Sequence, residues 1–230
     1  MQSQGQNNEK RNWLFVLLAG LFITNAITAE LISSKIISIP VHWGIWHYNF
    51  ITIVGVLPWP VVFLLTDTLN EFYGKQAVRR LSWITTVLIA YCFLIVVLAI
   101  QIPAVADIGV SDAAFKAVFG QTPWIMLGSI TAFLISQLLD VSLFHWIKLK
   151  TGNSYIWLRS TGSTVLSQAI DTLVVLYLGF VLPGVMNWSM FWKVAPTNYF
   201  LKLGIAVLLT PLIYILHAAL RKFLKTKIGR

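Results

Sequence analysis

Three short stretches of this chain place acids and amides where a helix would gather them on one face. Asp67, Asn70 and Glu71 in "DTLNEFYGK" are spaced i, i+3, i+4. Ser136, Gln137 and Asp140 in "SQLLDVSLF" share a pattern, Ser-Gln-x-x-Asp, with Ser167, Gln168 and Asp171 in "SQAIDTLVV", at an offset of 31 residues. Carboxylates set among amides and hydroxyls can accept paired N–H bonds, hold a cation or carry a proton. Two carboxylates close together can also share a proton, the arrangement of a catalytic acid pair. Other chemistries lack their residues: the sequence has no His-His-carboxylate metal spacing, no Gly-rich phosphate loop and no Ser/His/Asp grouping. Neither a metal nor a cofactor is expected. The single cysteine, Cys92, lies in an apolar run and reads as a small buried hydrophobe.

The elements that must position these residues are unusually apolar. Hydrophobic residues make up 57% of the 230 and charged residues only 11%, with a mean hydropathy of +0.77. An ordinary soluble domain carries about a quarter charged residues, so the class is a polytopic membrane protein. A spanning helix needs about 20 mostly apolar residues. Six stretches qualify, at 13–34, 49–72, 80–102, 123–147, 160–182 and 198–220. The fold expected is therefore all-α, with six transmembrane helices at 13–220 between cytoplasmic tails at 1–12 and 221–230. The segment "NEKRNWLFVLLAGLFIT" resembles a signal peptide, but apolar character resumes directly after it, so it reads as a retained first span. Pro58 and Pro60 suggest a kink or break in the outer third of the second span. The connection 103–122 has room for a short amphipathic helix on the membrane surface.

Orientation follows from the basic residues. Thirteen of the 17 Lys and Arg gather at the two ends and in the 2–3 and 4–5 loops, leaving Lys35, Lys116, Lys193 and Lys202 for the opposite side. Both termini are thus expected in the cytoplasm. The net charge of +9 lies between apolar segments, the pattern set by lipid headgroups and not by a nucleic-acid-binding face. His42 and His47 fall in an expected outer loop with Trp43 and Trp46, which read as an interfacial anchor, and His145 and His217 read as interfacial at cytoplasmic helix ends.

A charged side chain near the bilayer centre costs about 2.5–3.5 kcal/mol even on the most permissive scale, so such residues face a protein interior or a watery cavity. By helical rise, Asp67 lies about 12 Å from Lys75, Asp140 lies at a similar depth relative to Lys148, and Asp171 lies about 18 Å from Arg159, near mid-bilayer. With Glu30 towards the outer end of the first helix, they suggest one polar chamber. Asn25 and Glu30 do not share a face, so only one of them need point inward. Bland readings stand beside this: Glu71 can pair with Lys75 at i+4, the amides can be interhelical glue, and Asp140 can be a structural partner of Arg159 or Lys148. Asp171 has no basic residue near it in sequence and is the hardest to explain that way.

The stretches "LLTDTLNEFYGKQAVRR", "SQLLDVSLFHWIK" and "WLRSTGSTVLSQAIDT" resemble the queuosine-precursor transporter family, small bacterial membrane proteins also described as vitamin-uptake-transporter-like. The resemblance runs from "NAITAELISSKII" to the sixth helix and rests on the acidic-Tyr-Gly-basic signature plus two Gln-x-x-Asp helices; Phe72 stands where the signature usually has a small or branched residue. It implies a multi-pass protein of the bacterial inner membrane, a transporter and not an enzyme, importing 7-deazaguanine precursors of queuosine, typically 7-cyano-7-deazaguanine. A guanine-like edge presents an N–H and an amino group side by side, which one carboxylate accepts as two parallel bonds. The acids favoured for this are Glu71, Asp140 and Asp171, with Asp67 in the wider candidate set, Asn70, Gln137 or Gln168 donating to the carbonyl and Tyr73, Phe72 or Trp157 stacking on the ring. Asn25, Glu30 and Arg159 complete the candidate set. Three matters stay open at this stage: whether a proton is coupled or transport is passive, whether the chain is a homodimer, and whether it is instead the substrate-capture subunit of an ATP-driven uptake complex. An integral-membrane enzyme with a paired-Asp site is the remaining alternative.

Overall fold

The computed structural model describes residues 2–33, 35–43, 46–105, 108–120, 123–152, 154–184 and 186–224, with 2–7, 36, 41–43, 46–53, 123, 206, 210 and 224 by backbone alone. Helix α1 (Gln2–Ile32) leads into an antiparallel hairpin, β1 (Ile36–Trp43) and β2 (Trp46–Ile53), paired from Ile36↔Ile53 to Trp43↔Trp46. Helices α2 (Trp59–Gln101), α3 (Asp112–Phe119), α4 (Pro123–Thr151), α5 (Ile156–Leu176) and α6 (Trp188–Leu224) follow, and a π-helical turn, Tyr177–Val181, extends α5. The architecture is helical, as expected, except that residues 36–43 and 46–53 form strands where sequence reading expects an outer loop and the start of the second span. The side chains of His42, Trp43, Trp46 and His47, and the tail from residue 225, lie outside the described set.

Among the described residues four helical stretches are long and apolar enough to cross a membrane: Asn8–Ile32, Val54–Gln101, Asp112–Thr151 and Ile156–Val181. A fifth is the bent pair Trp188–Leu209 and Pro211–Phe223, which meet at 42°. Pro211 accounts for that bend, since it has no N–H to give the preceding turn.

The 48-residue stretch Val54–Gln101 is not one straight rod. Its backbone leaves helical geometry at Gly74 (φ 81°, ψ 170°), a region that essentially only glycine enters. The contacts of α1 show what happens there. At the start of α1, the Arg11 guanidinium donates to the Phe72 carbonyl at 3.0 Å and Tyr73 donates to the Arg11 carbonyl at 2.8 Å. At its far end, a Cβ on Gly55 would meet the Ala29 carbonyl at 2.5 Å, while Ile89, Cys92 and Phe93 share a crevice with Ile27, Glu30 and Leu31. Residues 55 and 89–93 therefore lie at one end of α1 and residues 72–73 at the other. The arms 59–73 and 75–101 run antiparallel, folded back at Gly74. Pro58 and Pro60 do not kink this helix; they begin it, with Pro58 at the N-cap and Pro60 in the first turn, where a missing N–H costs nothing.

Packing is inverted relative to a soluble domain. Ile84, Val87, Leu94 and Leu98 on one arm, Leu166 and Leu173 on α5 and Leu208 and Ile215 on α6 face outward, while Asp67, Asn70, Arg159, Ser163 and Gln168 are buried. Hydroxyls within the helices are satisfied locally: Thr66, Ser82, Thr85 and Thr86 donate to the carbonyls of Val62, Val78, Leu81 and Ser82, four residues back. That return bond lets Ser and Thr sit in an apolar medium without an orphaned donor. An apolar cluster of Leu14, Leu18 and Phe22 against Leu69, Val78 and Phe133 closes the bundle on the α1 side. A short helix, α3, capped by Ser111, occupies the 103–122 connection as anticipated.

Candidate functional site

Polar side chains stack in layers between α2, α4, α5 and α6. At the end rich in Lys and Arg, Glu71 is gripped by two cations from different helices, Lys148 Nζ at 2.9 Å and Arg159 Nη2 at 2.9 Å. Arg159 is 0% exposed, donates through Nη1 to the Gly152 carbonyl and lies over the Phe144 ring. The alternative Glu71–Lys75 pair does not form: sequence spacing offers a partner one turn away, but tertiary packing brings two cations from other helices to the same carboxylate.

One turn deeper, Asp67 accepts a bond from Ser160 through Oδ2, while its Oδ1 is buried with no partner. Asn70 donates to the Val141 carbonyl at 3.4 Å and its Oδ1 is likewise buried and unpartnered. Gln137 donates to Thr66 at 2.7 Å, and Gln168 is buried nearby on α5. Asp140 lies within electrostatic range of Asp67 and takes hydroxyl bonds from Ser163, Thr164 and Ser167. It pairs with neither Arg159 nor Lys148, because the serine-rich face of α5 meets it first.

The repeated Ser-Gln-x-x-Asp motif resolves into a reciprocal exchange. Ser167 of the second copy donates to Asp140 of the first at 3.1 Å, and Ser136 of the first donates to Asp171 of the second at 3.2 Å. Antiparallel packing of α4 on α5 produces this crossing, helped by Gly128 and Gly179, where an added Cβ on Gly128 would come within 2.8 Å of the Gly179 nitrogen. Asp171 also has a cation: Lys202 Nζ reaches Oδ2 at 2.5 Å from α6. Sequence reading assigns Lys202 only to the side opposite the basic end and gives it no partner. Its position five residues inside the apolar stretch 198–220 was the available signal. Beyond it, Glu30 accepts from Ser129 and feels both Asp171 and Lys202.

Two candidates lie apart from these layers. Asn25 donates back to its own helix at the Leu21 carbonyl, 2.8 Å away, and Tyr73 turns outward onto Arg11 and Phe15. Trp157 is about half exposed, whereas Phe72 packs edge-on against His217. His217 is not interfacial: it is 2% exposed with both ring nitrogens unpartnered. Among the described residues no group of three His, Cys, Asp or Glu is arranged to hold a metal ion. What the layers can do is present buried acceptors and donors to a polar solute inside a lipid-facing shell.

Residues 53–216 match the family described as "Putative vitamin uptake transporter". The chain belongs to that family. The layers from Asp67 to Lys202 fall inside the matched stretch, and Asn25 and Glu30 precede it. Two relatives carry the name "Probable queuosine precursor transporter". That of Bacillus subtilis is 30% identical over 163 residues, covering 70% of this chain and 69% of its own length. That of Haemophilus influenzae is 25% identical over 185 residues, covering 76% and 73%. No solved structure matches the chain. The protein is a transporter and not an enzyme, which removes the paired-Asp catalytic reading.

Proposed function

We propose that this multi-pass membrane transporter carries queuosine precursors into a bacterial cell, and that its substrate is 7-cyano-7-deazaguanine. The names of the two relatives support the substrate class. The observation that carries the site is the pair of buried, unpartnered acceptors Asp67 Oδ1 and Asn70 Oδ1, one helical turn apart. A buried acceptor without a donor costs about 1–3 kcal/mol, and the adjacent N–H and amino groups of a guanine-like edge are donors of the right kind. Glu71, Asp140 and Asp171 have internal partners for their oxygens. They shape the chamber, and Asp67 reads the base.

Six crossings, both termini cytoplasmic in the inner membrane, is the proposed topology. A continuous helix of 48 residues would be about 72 Å long, more than twice the roughly 30 Å hydrocarbon core, so the arms on either side of Gly74 count as two spans. The acids between Asp67 and Glu30 offer a route for a coupled proton, which would bring about 2.3 kcal/mol per 100 mV of membrane potential.

Uptake of labelled 7-cyano-7-deazaguanine into liposomes holding only this protein tests the reading. Uptake that rises with an imposed inward proton gradient is the expected result. Uptake indifferent to the gradient means facilitated diffusion. Binding without uptake means a capture subunit awaiting an ATP-driven module, and absence of binding overturns the substrate.

A further inference from the structure

The unpartnered buried atoms change character along the bundle. At the depth of Asp67 and Asn70 they are acceptors. Nearer the basic end they are Arg159 Nε, Arg221 Nε and the two ring nitrogens of His217. Arginine nitrogens only donate, and a neutral imidazole offers one donor and one acceptor. His217 lies within electrostatic range of three cations, Arg221, Arg159 and Lys148, and of Glu71; Asp67, the next carboxylate, lies within range of Arg159. Packing alone does not call for a histidine at this position. Against the edge of Phe72, at 5.4 Å between ring centroids, another aromatic ring would fill the space without two orphaned nitrogens, each a cost of the kind a ligand removes.

A 7-deazaguanine has two polar edges. One carries the ring N–H and the amino group, and the next carries the carbonyl oxygen beside the substituent on carbon 7. With the first edge on Asp67 and Asn70, the second faces the neighbouring layer of donors and positive charge. We infer that the Arg159–His217–Arg221 layer reads the carbon-7 substituent, accepting a neutral acceptor such as a nitrile, or an anionic carboxylate, and rejecting an ammonium. This rests on the substrate reading above and narrows it. A nitrile gives a lone pair to Arg159 or His217 and carries no charge. An aminomethyl group is protonated near neutral pH, brings donors to a layer already rich in donors, and is repelled by its cations. Discrimination of this kind comes from the repulsive element as much as from the attractive one.

The test is binding of three bases to the full chain in nanodiscs: 7-cyano-7-deazaguanine, its 7-aminomethyl counterpart, and 7-deazaguanine itself. Wild-type protein is expected to bind the nitrile at least about tenfold more tightly than the ammonium, as one held like charge at this depth would produce. His217→Phe should remove most of the nitrile's advantage over unsubstituted 7-deazaguanine, and Arg221→Glu should narrow the gap between nitrile and ammonium. Equal affinity for nitrile and ammonium in the wild type, or a preference for the ammonium, overturns the inference and leaves the substrate reading standing. Failure to bind any of the three overturns the substrate reading, and this inference with it. The wild-type comparison needs no substitution, so a variant that fails to fold does not blunt it.

Discussion

At the scale of single residues, the acids of this chain divide by whether their lone pairs are already used. Asp171 is committed to Lys202 and Ser136. Removing one member of a buried ion pair strands the other, at a cost of about 3–5 kcal/mol. Asp171→Asn is therefore expected to lower stability in detergent by about that much, and adding Lys202→Met should recover most of it. Thermal unfolding of the two variants and the double variant checks this; equal losses with no recovery would show that Lys202 is no partner of Asp171. Asp67 differs in keeping one oxygen free. Asp67→Asn is expected to weaken base binding by about 10- to 100-fold, the scale of a charge-assisted hydrogen bond. Asp171→Asn protein that remains folded should lose less. Isothermal titration on both variants ranks them, and the reverse order would move the site to mid-membrane.

Between elements, the decisive contacts are backbone approaches that only glycine permits. Gly74 folds α2 back on itself with φ near +81°. An alanine there has to enter a sparsely populated region, at about 1–3 kcal/mol, or open the hairpin. Gly74→Ala should thus lose stability by that amount, and a wild-type melting temperature would contradict the fold-back. At Gly128 the cause is proximity. A leucine there would drive its Cβ to within 2.8 Å of the Gly179 nitrogen and push α4 off the π-helical turn. Because the α4–α5 contact also aligns the Ser136–Asp171 and Ser167–Asp140 exchange, Gly128→Leu is expected to depress base uptake as well as stability. A Gly128→Ala variant should show the same defects in milder form.

For the whole molecule, the polar layers thread a bundle whose outer surface is aliphatic, the arrangement a solute path through a membrane requires. Topology is open to direct measurement because Cys92 is the chain's single cysteine. In a Cys92→Ala background, single cysteines replacing Gln76 and Gly152 should react with a membrane-impermeant maleimide from the cytoplasmic side. Cysteines replacing Val105 and Gly184 should react from the opposite side. If position 76 labels from the same side as position 105, the arms of α2 do not make two crossings.

Much of this is legible in the amino-acid sequence. The helical, membrane-embedded class follows from composition, because a chain with 11% charged residues has too little polar surface to face water. The Ser-Gln-x-x-Asp echo and the Asp67–Asn70–Glu71 face were visible as spacing, since 3.6-residue periodicity is a local property. The strands at 36–43 and 46–53 are not legible in the sequence, because their apolar residues suit a short strand as well as the start of a span. The prolines suggest a kink because sequence alone does not say whether the helix has already begun. Partner choice was the deeper limit. Glu71 bonds residues 77 and 88 positions away, and Asp171 finds Lys202 across 31. Local spacing sets which residue types stand on each helix face. Which faces meet depends on how α2 turns at Gly74 and how α4, α5 and α6 pack, and that is set by the whole bundle at once. Tertiary packing alone therefore decided that Asp67 and Asn70 keep free oxygens while their neighbours do not.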